Sequence, residues 1–110
     1  MHLRGSFNTF LGQQNLLRVI NSSESATNIT ISTIRNGTRS DAVPVWLAPH
    51  ARFDMNMNTS VTLIPAGAQT YGIVEILGLN GPVFAEVLRA RYHASGLVDF
   101  AYSTPPRETN

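Results

Sequence analysis

Apolar and polar residues alternate with a period of two along nearly the whole chain, in short runs broken by Gly, Pro, Asn and Ser. That pattern leaves little room for anything but an all-β fold, because strands place successive side chains on opposite faces and helices do not. Thr27 to Ile34 is the cleanest case: Ile29 and Ile31 share one face, Thr30 and Ser32 the other. The spacing of such runs predicts about seven or eight strands in an Ig-like antiparallel β-sandwich. With 110 residues, the chain suits a single core better than two. The expected organisation is an N-terminal arm or edge strand over 1–12, the sandwich over 13–104 and a polar tail over 105–110.

Turn chemistry adds detail. Asn36-Gly37 and Asn80-Gly81 are hairpin dipeptides, and the second predicts that Tyr71 to Leu79 and Pro82 to Tyr92 pair as a central hairpin. At the first, parity sets a condition. A two-residue loop would set Ile31 opposite Ala42 and put Val43, Val45 and Leu47 on the wrong face, so a longer loop or a bulge is needed. Arg52 to Met57 should be a half-buried strand with Phe53, Met55 and Met57 inward, and Val61 to Ile64 a short strand followed by a loop.

Composition narrows the chemistry. Seven acidic residues against eight basic ones, every one of the latter Arg, give a net charge of +1, which is no footprint for nucleic acid. The absence of Cys excludes disulfides and thiolate chemistry. No run approaches the roughly 18 apolar residues of a membrane span, so no membrane insertion is expected. His2, His50 and His93 are scattered, and Gly-x-Ser-x-Gly, His-x-His and Asp-rich calcium loops do not occur. No catalytic residue, cofactor or metal ligand is therefore assigned, and the chain is expected to be non-enzymatic.

Three features bear on binding. Trp46, the single Trp, has a parity opposite to Val43, Val45 and Leu47. It could fill the core if parity changes after Pro44, meet a protein, or stack on a sugar with Arg52 and Asp54 as polar contacts. Leu3, Phe7 and Phe10 would let the arm add a strand to a neighbouring molecule, or form the first strand of its own sandwich. Glu75 and Glu86 would face each other across an Asn80-Gly81 hairpin, an arrangement that needs a cation, a raised pKa or a shifted register bringing Glu75 near Arg89. Asn21, Asn28, Asn36 and Asn58 each begin Asn-x-Ser/Thr, a glycosylation signal only in a suitable host.

The segments Asn15 to Asn21, Ala26 to Ile31, Leu47-Ala48-Pro49-His50-Ala51-Arg52 and Pro82 to Arg89 resemble a recurrent bacterial extracellular surface module. In that module a Leu-x-Val-x-Asn strand precedes an Ala-Thr-rich strand, a Leu-Ala-Pro-Gly-Ala turn and a Pro-Val-x-Ala-Glu strand. This chain departs from the pattern in placing His50 where Gly is usual. The resemblance implies an Ig-like sandwich acting as a structural or adhesive unit, extracellular, on the cell surface or in a particle, through protein partners or self-association. Carbohydrate binding at an exposed Trp is the alternative.

Overall fold

A computed structural model describes residues 2–78, 83–92, 98–104 and 107–108, with side chains over 3–78 and 83–91. Two antiparallel sheets face each other as a β-sandwich. The first holds β1 (His2–Asn8), β3 (Thr27–Arg35), β5 (Val43–Leu47) and β7 (Tyr71–Gly78), with the two-residue strands β4 (Thr38–Arg39) and β10 (Arg107–Glu108). The second has the order β6-β2-β8-β9, from Arg52–Asn56, Gln14–Asn21, Val83–Tyr92 and Val98–Thr104. Setting the two-residue strands aside, eight strands remain, as the alternation predicts.

The core lies between the sheets. Leu3, Phe7, Ile29, Ile31, Val74 and Ile76 enter from the first sheet, and Leu17, Val19, Val83 and Val87 from the second. Phe53 and Met55 pack inward from β6 as expected, and Met57 completes the run from a 3-10 turn beyond the strand. Val61 to Ile64 is not a strand. It bends through turns in which Leu63 and Ile64 both donate to the Ser60 carbonyl, and those two side chains close one end of the core.

The condition at Asn36-Gly37 is met by a slip in register after the turn rather than by a longer loop. Arg35 pairs with Thr38 across a two-residue turn whose Asn36 and Gly37 both have positive φ, as a type I′ hairpin requires. The chain then slips by one residue, so Ile31 pairs with Val43 and Ile29 with Val45, which keeps all four side chains on the core side.

The expected central hairpin is overturned. β7 and β8 do not form a hairpin: β7 pairs with β1 over seven positions and β3 over six, whereas β8 lies in the other sheet beside β2 and β9. Long-range pairing on both edges of β7 outweighs the local turn preference; the Asn80-Gly81 connection itself lies outside the described residues. Of the two readings of the N-terminal arm, the first strand of its own sandwich is the one observed: Leu3 and Phe7 lie in the core and are not available to a neighbour. The polar tail returns to the sheet, where Arg107 and Glu108 pair with Arg4 and Leu3.

Gly72 shows how tight the first sheet is. It sits opposite Phe7, and a Cβ there would fall 2.3 Å from the Ile34 carbonyl oxygen and 3.0 Å from the Phe7 ring. The ring occupies the space a side chain would need.

Candidate interaction surfaces

Alternation that buries one side of each strand displays the other, so each sheet has an outer face whose composition is fixed by register. On the first sheet Arg4, Glu75 and Ser32 lie in one row across β1, β7 and β3. Arg39 reaches into that row from β4: its Nη1 donates to Glu75 Oε1 and, at 3.3 Å, to Ser32 Oγ. Arg4 holds the other oxygen, with Nε at 2.9 Å and Nη2 at 2.8 Å from Oε2. Glu75 is therefore only 1% exposed although it points away from the core, because two half-exposed guanidinium groups cover it. A carboxylate so enclosed needs that many charge-assisted bonds to offset its lost hydration.

Apolar rows flank this ionic row. Ile73 and Ile34 pair on one side; Leu77, Thr30 and Pro44 align on the other, with Trp46 beyond them opposite Asn28. Trp46 is 64% exposed, so the parity reading holds and its place in the core is excluded. Tyr71 is 66% exposed at the other end, its ring 6.2 Å from that of Phe10. Phe10, the third arm residue, is thus a surface side chain in a 3-10 turn, apart from the buried Leu3 and Phe7.

The second sheet repeats the design with reversed signs. Asp54, Arg18 and Glu86 form a row across β6, β2 and β8. Arg18 Nε lies 3.0 Å from Asp54 Oδ1 and its Nη1 3.4 Å from Glu86 Oε1, with all three groups about half exposed. Pairs that wet contribute ~0–1 kcal/mol each. Leu16 and Leu88 align on one side of the row, Ile20 and the 67%-exposed Phe84 on the other. Shallow depressions of about 230 and 180 Å³ lie between these rows.

Arg52 and Asp54 form a contact of 2.9 Å on this second face, whereas Trp46 projects from the outside of the first. The three do not converge on one sugar site. Glu75 and Glu86 likewise belong to opposite sheets, so neither their repulsion nor an Arg89 partner for Glu75 is needed. His50 lies in the turn after β5 with Nε2 3.1 Å from Glu24 Oε1, His2 opens β1, and His93 lies outside the described residues. Within the described residues no three His, Asp or Glu gather as a metal site, and no helix is long and apolar enough to cross a membrane.

Sequence reasoning missed the buried asparagines. Asn15 is fully buried, accepting from the Asn8 amide and donating to the Asn8 carbonyl and Asn58 Oδ1. Asn21 is buried at the opposite end of β2, donating to the carbonyls of Ser25, Leu47 and Ala48 and accepting from Ser23. Its amide nitrogen is therefore committed, which makes the Asn21 sequon inaccessible in the folded chain; Asn28 and Asn36 are exposed. In a depression of about 370 Å³ nearby, Thr9 and Asn58 are engaged in the same manner, Thr9 with the Ala68 carbonyl and Asn58 with that of Gln13.

His50 has φ 60, a left-handed backbone that suits Gly. His50→Gly is expected to stabilise the chain by about 0.5–1 kcal/mol, since the exposed Glu24 contact it removes contributes little. A urea titration checks this, and a lower midpoint would contradict it.

The fold and its two patterned faces define an all-β sandwich protein. No family model matches the chain, and no curated protein matches it. Among solved structures, the crystal structure of Thermotoga maritima 1070 is similar, with a TM-score of 0.76 at 12% identity over 96% of this chain and 91% of that one. At that identity the likeness concerns the fold.

Proposed function

We propose that the chain is a non-enzymatic structural or adhesive module that works by protein–protein contact through its outer faces, within an extracellular or cell-surface protein, filament or particle. The observation that carries this reading is the set of large apolar side chains outside a sandwich that already has a packed core: Trp46, Tyr71, Ile73 and Leu77 on one face and Phe84 on the other. Scattered exposed hydrophobics are ordinary, whereas rows of them beside fixed guanidinium and carboxylate groups have the make-up of a protein interface. The resemblance to bacterial surface modules supports the extracellular setting.

A second reading, carbohydrate binding, is favoured by the exposure of Trp46 alone, with Asn28 rather than Arg52 or Asp54 as its polar neighbour. Because Trp46 is the single Trp, its fluorescence separates the two. Protein contact predicts an emission shift to shorter wavelength as the chain is concentrated, with no response to soluble β-glucan, xylan or chitin oligomers. Emission unchanged by concentration but shifted by one of those sugars would give the second reading.

A further inference from the structure

The two outer faces are complementary to each other. On the first, positive, negative and positive groups (Arg4, Glu75, Arg39) lie in a band between the Ile73/Ile34 row and the Leu77/Pro44 row. On the second, negative, positive and negative groups (Asp54, Arg18, Glu86) lie between the Leu16/Leu88 row and the Ile20/Phe84 row. In both sheets the apolar rows are two residues along each strand from the ionic row, a repeat of about 6.7 Å set by strand geometry. Row can therefore meet row.

Resting on the protein-contact reading, we infer that the occupant of each face is a second copy of this chain, docked head to tail: the β1/β7/β3 face of one molecule against the β6/β2/β8 face of the next. In this arrangement the half-exposed guanidinium groups of Arg4 and Arg39 meet the half-exposed carboxylates of Asp54 and Glu86, and apolar row covers apolar row. Arg52, which holds the second oxygen of Asp54, sits at the rim. Pairing like faces would instead oppose Arg4 and Arg39 to their own copies, a like-charge arrangement that selects against it. The molecule extends 42 × 30 × 21 Å, so its broad faces can supply the roughly 500 Å² per partner of a minimal specific interface. A contact between two different faces repeats, so the product is an open filament or a closed ring rather than a two-fold dimer.

The test uses two variants on exposed positions, Leu77→Lys for the first face and Phe84→Lys for the second, with the exposed Val61, away from both faces, changed to Lys as control. Circular dichroism verifies that each folds, and light scattering gives molar mass against concentration. Wild type and the control should grow in mass with concentration, and each face variant alone should stay at the monomer mass. Mixed one to one, the two face variants should form a dimer that grows no further, because one intact face of each kind remains to pair. A face variant that assembles alone, or a mixture that stays monomeric while wild type assembles, overturns head-to-tail docking and leaves protein contact standing. A wild type monomeric at every concentration overturns self-docking itself.

Discussion

Phe7→Ala should lower the unfolding free energy by about 3–5 kcal/mol, the range for emptying a buried aromatic site. Phe7 is 1% exposed, and its ring fills the space above Gly72, whose lack of a side chain exists to receive it. Collapse into the void is hindered, because Gly72 sits in a seven-position pairing between β1 and β7 and the Ile34 carbonyl oxygen lies 2.3 Å from where its Cβ would be. A domain has only about 5–15 kcal/mol in total, so the variant should be near the edge of folding. Removing residues 1–10 also takes Leu3 and the whole β1 pairing, and should leave no cooperative transition in guanidinium. A truncated chain that still unfolds cooperatively would show that β1 is the dispensable arm the sequence allows.

The second large effect is expected at Asn21. Its side chain ties the end of β2 to the chain leaving β5, through the carbonyls of Leu47 and Ala48, and orders the Asn21–Ser25 loop through Ser23 and Ser25. Asn21→Ala would remove the donor to the carbonyls of Ser25, Leu47 and Ala48 and the acceptor for Ser23, at about 2–4 kcal/mol if each net hydrogen bond contributes ~1. Asn21→Asp, nearly the same shape, should cost as much or more, since it replaces the donor with a buried charge facing carbonyl oxygens. Denaturant midpoints check both; an Asp variant as stable as wild type would show that shape, not donation, is what the site uses. In this chain the Asn that ends Leu17-Arg18-Val19-Ile20-Asn21 thus closes onto the carbonyls of Leu47 and Ala48.

Strand parity was legible in the sequence because it is a local property. The alternation put Ile29, Ile31, Val43 and Val45 on one side, which required a longer loop or a bulge near Asn36-Gly37, and gave Trp46 the opposite parity; the structure meets the first by a one-residue slip and has Trp46 outward. Partner choice was not legible, because it depends on pairs far apart in the chain. Glu75 and Glu86 stood out because an Asn80-Gly81 hairpin would set them face to face, but the guanidinium groups that enclose Glu75 come from residues 71 and 36 positions away. That β7 and β8 belong to different sheets hid behind an ordinary turn dipeptide. Asn15 read as the start of a strand and Asn21 as the first residue of a polar loop, and nothing local signals that other chain segments fold over them.

These faces matter because their patterns arise from register alone. A one-residue slip in either sheet would scatter the ionic rows and turn the apolar rows into the core. The sandwich thus builds an opposite charge order on each side as a consequence of the same strand pairings that pack its interior. Light scattering of the unmodified chain over a wide concentration series tests the account at its centre. It predicts a molar mass that climbs steadily above the monomer value as protein is added; a monomer mass at every concentration would contradict it.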